Sequence, residues 1–233
     1  MLKNLIELTK VRIGFLVLIT TVIGFYLGSQ GQIDLSLLFF TIMGTLLCST
    51  GSSVMNNVIE SETDKLMERT KNRVLPTQKI SLLSAKIIGL TFIISGLSIL
   101  NFKVNSLTSI LSLITIFSYL FLYTPLKRKS WLNTSIGAIP GALPPLGGWT
   151  AATGSLECGG VAVFLILFFW QHPHFYSIAY LYKEDYKNAG LQMLPVIDGG
   201  IKRTVLHIFL HALILIPIST LPFFFGVSGR VYF

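Results

Sequence analysis

The segment SLLFFTIMGTLLCSTGSSVMNNV, residues 36–58, carries no charged side chain, and the segment directly after it, IESETD at 59–64, carries Glu60, Glu62 and Asp64. A helix needs about 20 apolar residues to cross a hydrocarbon core about 30 Å thick. Inside that core the backbone must satisfy its own hydrogen bonds, so such a run is read as a helix. Six more runs of this kind lie at 13–30, 82–101, 105–124, 134–153, 160–181 and 204–226. The sequence therefore predicts an all-α polytopic membrane protein with seven transmembrane helices, a single membrane domain over 1–233.

Composition agrees. Charged residues make up 12% and hydrophobic residues 52%, and mean hydropathy is +0.70. A soluble domain carries about 25% charge, so a soluble enzyme and a disordered chain are excluded. The net charge of +8 does not make this a nucleic-acid-binding domain either. With the N-terminus in the cytoplasm, every Lys and Arg except Lys103 and Arg230 falls in the cytoplasmic segments, which is the positive-inside pattern. The first run has no small-residue cleavage site after it and reads as a retained span. No Arg/Ser-rich leader precedes it, which points to a bacterial inner (plasma) membrane. Cys48 and Cys158 are too far apart to suggest a zinc site or a disulfide framework, and both read as packing residues.

The ten acidic residues are unevenly placed: Glu60, Glu62, Asp64 and Glu68 crowd the end of the second span, and Glu184 and Asp185 the matching end of the sixth. Asn56, Glu60 and Asp64 are spaced i, i+4, i+8, one stripe on a helix that continues past the membrane surface. Such a stripe of oxygens suits Mg²⁺, which binds carboxylates together with substrate phosphate oxygens. Lys65, Arg69, Lys71 and Arg73 follow, and carboxylates for a metal beside guanidiniums and ammoniums for oxyanions is the equipment for a diphosphate. The arrangement echoes, with Leu75-Pro76 after Asp64 and Leu194-Pro195 after Asp185. Tyr123 and Lys127, one turn apart and followed by Arg128 and Lys129, can aim a hydroxyl and an ammonium at one oxyanion.

The fifth run, with Gly137, Pro140, Gly141, Pro144, Pro145, Gly147 and Gly148, is expected to be irregular and to line a cavity or be buried in protein. Of the histidines, His172 reads as interfacial. His174 follows Pro173 at a helix end, and His207 and His211 share an i, i+4 face used either for ligation or for helix–helix contact.

The stretch from Asn56 to Asp64 resembles the first aspartate-rich motif of the UbiA-type intramembrane prenyltransferases, and Met67 to Arg73 is similar to its version in the protohaem IX farnesyltransferase branch. Three further stretches resemble that branch: Tyr123 to Arg128, Gly141 to Trp149, and Trp170 through His174 and Asp185 to Val196. The resemblance spans most of the chain. It implies transfer of a farnesyl group from farnesyl diphosphate to a vinyl group of haem B, giving haem O and diphosphate. It assigns Asn56, Glu60 and Asp64 to one Mg²⁺–diphosphate cluster and Asp185 to a second. Tyr123 and Lys127 match the diphosphate-contacting pair, with Arg69, Arg73 and Arg128 as further contacts and His174, His207 and His211 as candidates to contact haem. Haem A synthase or terminal-oxidase assembly partners are implied as well.

Two departures stand out. Glu60 replaces the usual Asp with a longer arm of the same charge. The sequence also carries seven spans where this family usually has nine, so spans eight and nine are expected to be absent; a shortened inactive homologue, a fragment and a bundle completed by another subunit all fit that length. The alternative activities are a UbiA-type prenyltransferase with an aromatic or quinone-precursor acceptor, and a transporter. Transporters place ionisable groups near the bilayer midplane, whereas these carboxylates cluster at one face.

Overall fold

The computed structural model describes residues 2–229, with side chains from Asn4 onward; Arg230, expected on the outer side, lies outside the described residues, as does the side chain of Lys3. Every regular element among the described residues is helical. A short α1 (Leu2–Leu8) precedes α2 (Val11–Gly28) and the long α3 (Leu35–Asp64). Next come α4 (Leu82–Ile99), ending in a π-helical turn at Leu100–Val104, and α5 (Ser106–Phe117), ending in a second at Ser118–Tyr123. The short α6 (Thr124–Leu126) leads to α7 (Asn133–Thr153) and α8 (Cys158–Leu181). Two short helices, α9 (Lys183–Asn188) and α10 (Leu194–Ile197), precede α11 (Lys202–Phe224).

The starts of the long helices are set by local chemistry. Asp34 accepts hydrogen bonds from the backbone N–H of Ser36 and Leu37 at the start of α3, and Ser81 and Asn105 do the same for Ser84 and Thr108. These side chains satisfy amides that have no partner within the helix. Among the described residues, six helices are long and apolar enough to cross a membrane. They keep large apolar side chains exposed, among them Phe15, Leu16, Leu83 and Phe102, the surface a bilayer covers. The chain is an integral membrane protein.

The remaining expected span, 134–153, is α7, and it departs from expectation. It is a continuous helix, despite Pro140, Pro144 and Pro145, and it is not among the six apolar enough to cross by composition. Twelve of its 21 residues are buried, against only Thr204 and Pro222 in α11. Neighbours α2, α5 and α8 wrap it, so its small residues face protein and need no hydrophobic bulk. The glycines are used for helix contact. A Cβ on Gly24 would meet the Pro145 carbonyl, and one on Gly148 would meet the Thr21 carbonyl, so α2 and α7 cross backbone to backbone. Between α3 and α4, Gly51 and Gly96 serve the same purpose.

Candidate active site

The charged stripe of α3 sits on the turns added beyond the apolar run, since the helix continues from Val58 to Asp64. Each oxygen-bearing position meets a cation brought from elsewhere in the chain. Lys10 Nζ donates to Asn56 Oδ1 at 3.1 Å. Lys127 Nζ pairs with Glu60 Oε1 at 2.7 Å, and Arg73 Nη1 with Asp64 Oδ2 at 2.9 Å. Asn56 also donates from Nδ2 to Thr124 Oγ1 at 3.1 Å, and that hydroxyl donates to the Tyr119 carbonyl at 2.8 Å. Asn56 and Asp64 are each only 1% exposed, so their polar atoms need these partners.

The segment from Lys65 to Lys79 folds back over the end of α3. Thr70 Oγ1 donates to the Asp64 carbonyl at 2.9 Å, and Val74 and Leu75 are buried. Met67 inserts among Ala179, Tyr186, Ala189, Leu191 and Met193. That contact brings the second acidic segment alongside the first: the Arg69 N–H points to Asp185 Oδ2 at 3.4 Å, and the Arg69 guanidinium lies 5.0 Å from the Tyr182 ring centroid. The third segment closes in too. Lys127 Nζ lies 4.4 Å over the Tyr123 ring, which stacks on Tyr119. The Gln192 N–H donates to the Lys127 carbonyl at 2.7 Å, and Arg128 reaches Thr63 Oγ1. Asn56, Glu60, Asp64, Arg73, Tyr123 and Lys127 are thus in one cluster, with Arg69 and Asp185 joined to it through the 65–79 segment.

Electrostatics differ between the two half-buried lysines. Burial, then the Arg73 guanidinium, pulls the Lys10 ammonium down to about 8, with Glu60 opposing. Burial also pulls on Lys127, but Tyr123 and Glu60 outweigh it and hold that ammonium above the usual lysine range. As for a metal, the donor set is oxygen only. Among the described residues no three His, Cys, Asp or Glu side chains are placed to hold an ion by themselves. The oxygen donors suit Mg²⁺, which keeps several waters and is bound through one or two carboxylates plus phosphate oxygens.

The histidines separate. His172, expected at the interface, is instead 1% exposed. Its ring contacts the Phe168 carbonyl and Ser135 Oγ and stacks on His211 with centroids 4.1 Å apart. His211 also takes the His207 carbonyl as partner, at 2.7 Å, so this trio ties α8 to α11. His174, two residues along the helix and so on the other face of α8, is exposed and stacks on Trp170. Cys158, read as a packing residue, is exposed as well. It lines a cleft of about 450 Å³ with Trp149 and Glu157. Lys10 and Thr124 were passed over in the sequence, Lys10 because it counted only toward topology, Thr124 because it stands between the more conspicuous Tyr123 and Pro125.

An all-helical membrane bundle with a cluster that matches carboxylates to cations at a helix end is the construction of an intramembrane prenyltransferase. The UbiA prenyltransferase family model matches residues 17–233, and the chain belongs to that family. It is 44% identical to the protoheme IX farnesyltransferase of Solibacter usitatus, over 99% of this chain and 82% of that protein. It is 43% identical to the protoheme IX farnesyltransferase of Aquifex aeolicus, over 100% of this chain and 80% of that one. Among solved structures, a digeranylgeranylglyceryl phosphate synthase superposes with a TM-score of 0.82 at 21% identity, covering 98% of this chain and 79% of that one. A UbiA homolog from Archaeoglobus fulgidus bound to DMAPP and Mg²⁺ gives 0.80 at 17% identity, over 98% of this chain and 80% of that one. These two likenesses show the fold.

Proposed function

We propose that this chain is a prenyltransferase that moves the farnesyl group of farnesyl diphosphate onto the terminal carbon of a vinyl group of haem B, while one water adds its hydroxyl to the neighbouring carbon and gives up a proton, forming haem O and diphosphate. The observation that supports it most is the matched stripe of Asn56, Glu60 and Asp64 with its cations, in a chain similar along nearly its whole length to protoheme IX farnesyltransferases. Asn56, Glu60, Asp64 and Asp185 would hold Mg²⁺. When bound, Mg²⁺ supplies positive charge against the leaving diphosphate. Arg69, Arg73, Lys127 and Arg128 add cationic donors there, and Tyr123 a hydroxyl, so that negative charge developing on the bridging oxygen is met as the allylic bond breaks. The allylic cation must be kept from water, and the apolar helices shelter it while the diphosphate stays at the charged end. His174, exposed beside Trp170, is assigned to haem contact, with His207 and His211 as the second choice.

The single membrane domain of residues 1–233 is proposed to lie in a bacterial inner membrane with this cluster on the cytoplasmic side, and haem A synthase or terminal-oxidase assembly factors are the partners such an activity would meet. The test is to incubate membranes holding the chain with farnesyl diphosphate, Mg²⁺ and haem B and to look for haem O by mass. Asp64→Ala and Asp185→Ala should each abolish it while the protein still accumulates in the membrane. Normal turnover in either variant removes that residue from the site. Turnover with an aromatic acid or quinone precursor, and none with haem, replaces the acceptor.

A further inference from the structure

The cluster at the end of α3 is out of charge balance. Lys127 has Glu60 and Arg73 has Asp64, each as a direct ion pair. Lys10 shares the same surroundings of Arg73, Glu60, Lys127 and Asp64, yet its direct partner among the described residues is the neutral amide oxygen of Asn56. Three cations against two carboxylates leave one positive charge over, in a place where burial penalises it. Lys10 is half-buried, and an ammonium partly withdrawn from water with no carboxylate of its own is disfavoured, so an anion is the partner it lacks.

The position of Lys10 is also fixed. Asn57 Nδ2 donates to the Leu8 carbonyl at 2.9 Å, and Leu8, 2% exposed, packs with Val54, Leu75 and Ala85. Lys10 itself stands at φ 50°, ψ 50° immediately before α2. That left-handed conformation suits Gly or Asn better than Lys, so the backbone gives no reason for a lysine; the side chain does. The neighbouring residues Asn56 and Asn57 both act on this segment, one receiving the ammonium and the other holding the chain that presents it.

Building on the function proposed above, we propose that Lys10 is a further diphosphate-binding residue: its ammonium, held over Asn56 within the cluster, is a direct contact for a phosphate oxygen of the prenyl diphosphate. The ligand is thus an inorganic or allylic diphosphate, and the N-terminal segment is part of the site.

The test uses the full chain in detergent, with Mg²⁺ and inorganic pyrophosphate as the probe. Binding is read by calorimetry, and thermal unfolding is followed with and without the probe. Lys10→Gln keeps a donor for Asn56 and removes the charge. It should weaken pyrophosphate binding by about 10- to 100-fold, the worth of one charge-assisted hydrogen bond, and should melt no lower than the parent without the probe. Lys10→Arg, which keeps the charge, should bind within about threefold of the parent by the same reasoning. Binding by Lys10→Gln as tight as the parent's overturns the proposal. So does a Lys10→Gln protein that melts lower without the probe while Lys10→Arg binds just as poorly, because Lys10 would then be structural. If the parent itself fails to bind Mg²⁺ and pyrophosphate, the reading of the whole cluster as a diphosphate site falls.

Discussion

Glu60→Gln removes a charge and keeps the shape of the side chain, which makes it the cleanest probe of the cluster's electrostatics. Glu60 Oε1 stands 2.7 Å from Lys127 Nζ, with 14% of the lysine side chain and 17% of the glutamate side chain exposed. At that separation and an effective dielectric of about 20, the gross attraction is roughly 6 kcal/mol. Desolvation of both groups takes back much of it. What an experiment sees when one partner of a buried pair is removed is about 3–5 kcal/mol, because the other is left charged and alone. Lys127 would be left in that state, with Arg73 and Lys10 nearby to repel it. Water still reaches both side chains, so we expect the low end, about 3 kcal/mol of lost stability. Lys127→Gln together with Glu60→Gln leaves neither member of this pair charged and alone and should recover most of the loss. The assay is unfolding of the ligand-free protein in detergent for the parent, both single variants and the double variant, analysed as a cycle. A loss below about 0.5 kcal/mol for Glu60→Gln, or a double variant equal to the sum of the singles within that margin, would refute the reasoning.

At the α2–α7 crossing, Gly148→Ala and Gly24→Ala each push a methyl group into a backbone carbonyl and should cost about 1–3 kcal/mol by thermal unfolding; Gly147→Ala, which meets nothing within 4 Å, should be neutral or slightly stabilising. His172→Ala removes a sealed, stacked ring and should lower stability by about 2–4 kcal/mol. His174→Ala should unfold within about 0.5 kcal/mol of the parent, and haem O formation, measured separately, should fall. Lys10 loses its proton at about 8 in the folded protein, below its ordinary value of 10.5. Between those two values the unfolded chain holds the extra proton, so stability of the ligand-free parent should climb with pH across that window relative to Lys10→Gln, while pyrophosphate affinity falls. Parallel stability curves for parent and variant across that range would contradict this.

Much of the fold was legible because hydropathy and helix length are local properties. The runs at 82–101 and 160–181 match α4 with its π-helical turn and α8 closely. The stripe of Asn56, Glu60 and Asp64 was legible for the same reason, since helical spacing alone puts them on one face. Their partners were not, because Lys127 lies 67 positions from Glu60 and Lys10 lies 46 from Asn56, and such pairs form only once helices pack. The fifth run misled because proline argues locally for a break, whereas neighbours on several sides keep α7 helical. Likewise, nothing in the order His172-Pro173-His174 says which ring turns toward α11; that is decided by the phase of a helix against its neighbours.

The π-helical turn at Ser118–Tyr123 ends on the first of the residues that reach the cluster from this side. A π turn holds one residue more than an α turn, and each α-helical residue advances the side-chain direction by about 100°. This wider turn therefore acts as a phase-setting insertion, dialling Tyr123, Thr124 and Lys127 round to the face where α3 lies. Removing a single residue from it would leave every side chain chemically intact and aim them at the wrong neighbour. The length of this one turn is thus as much a part of the site's specification as the identity of the lysine.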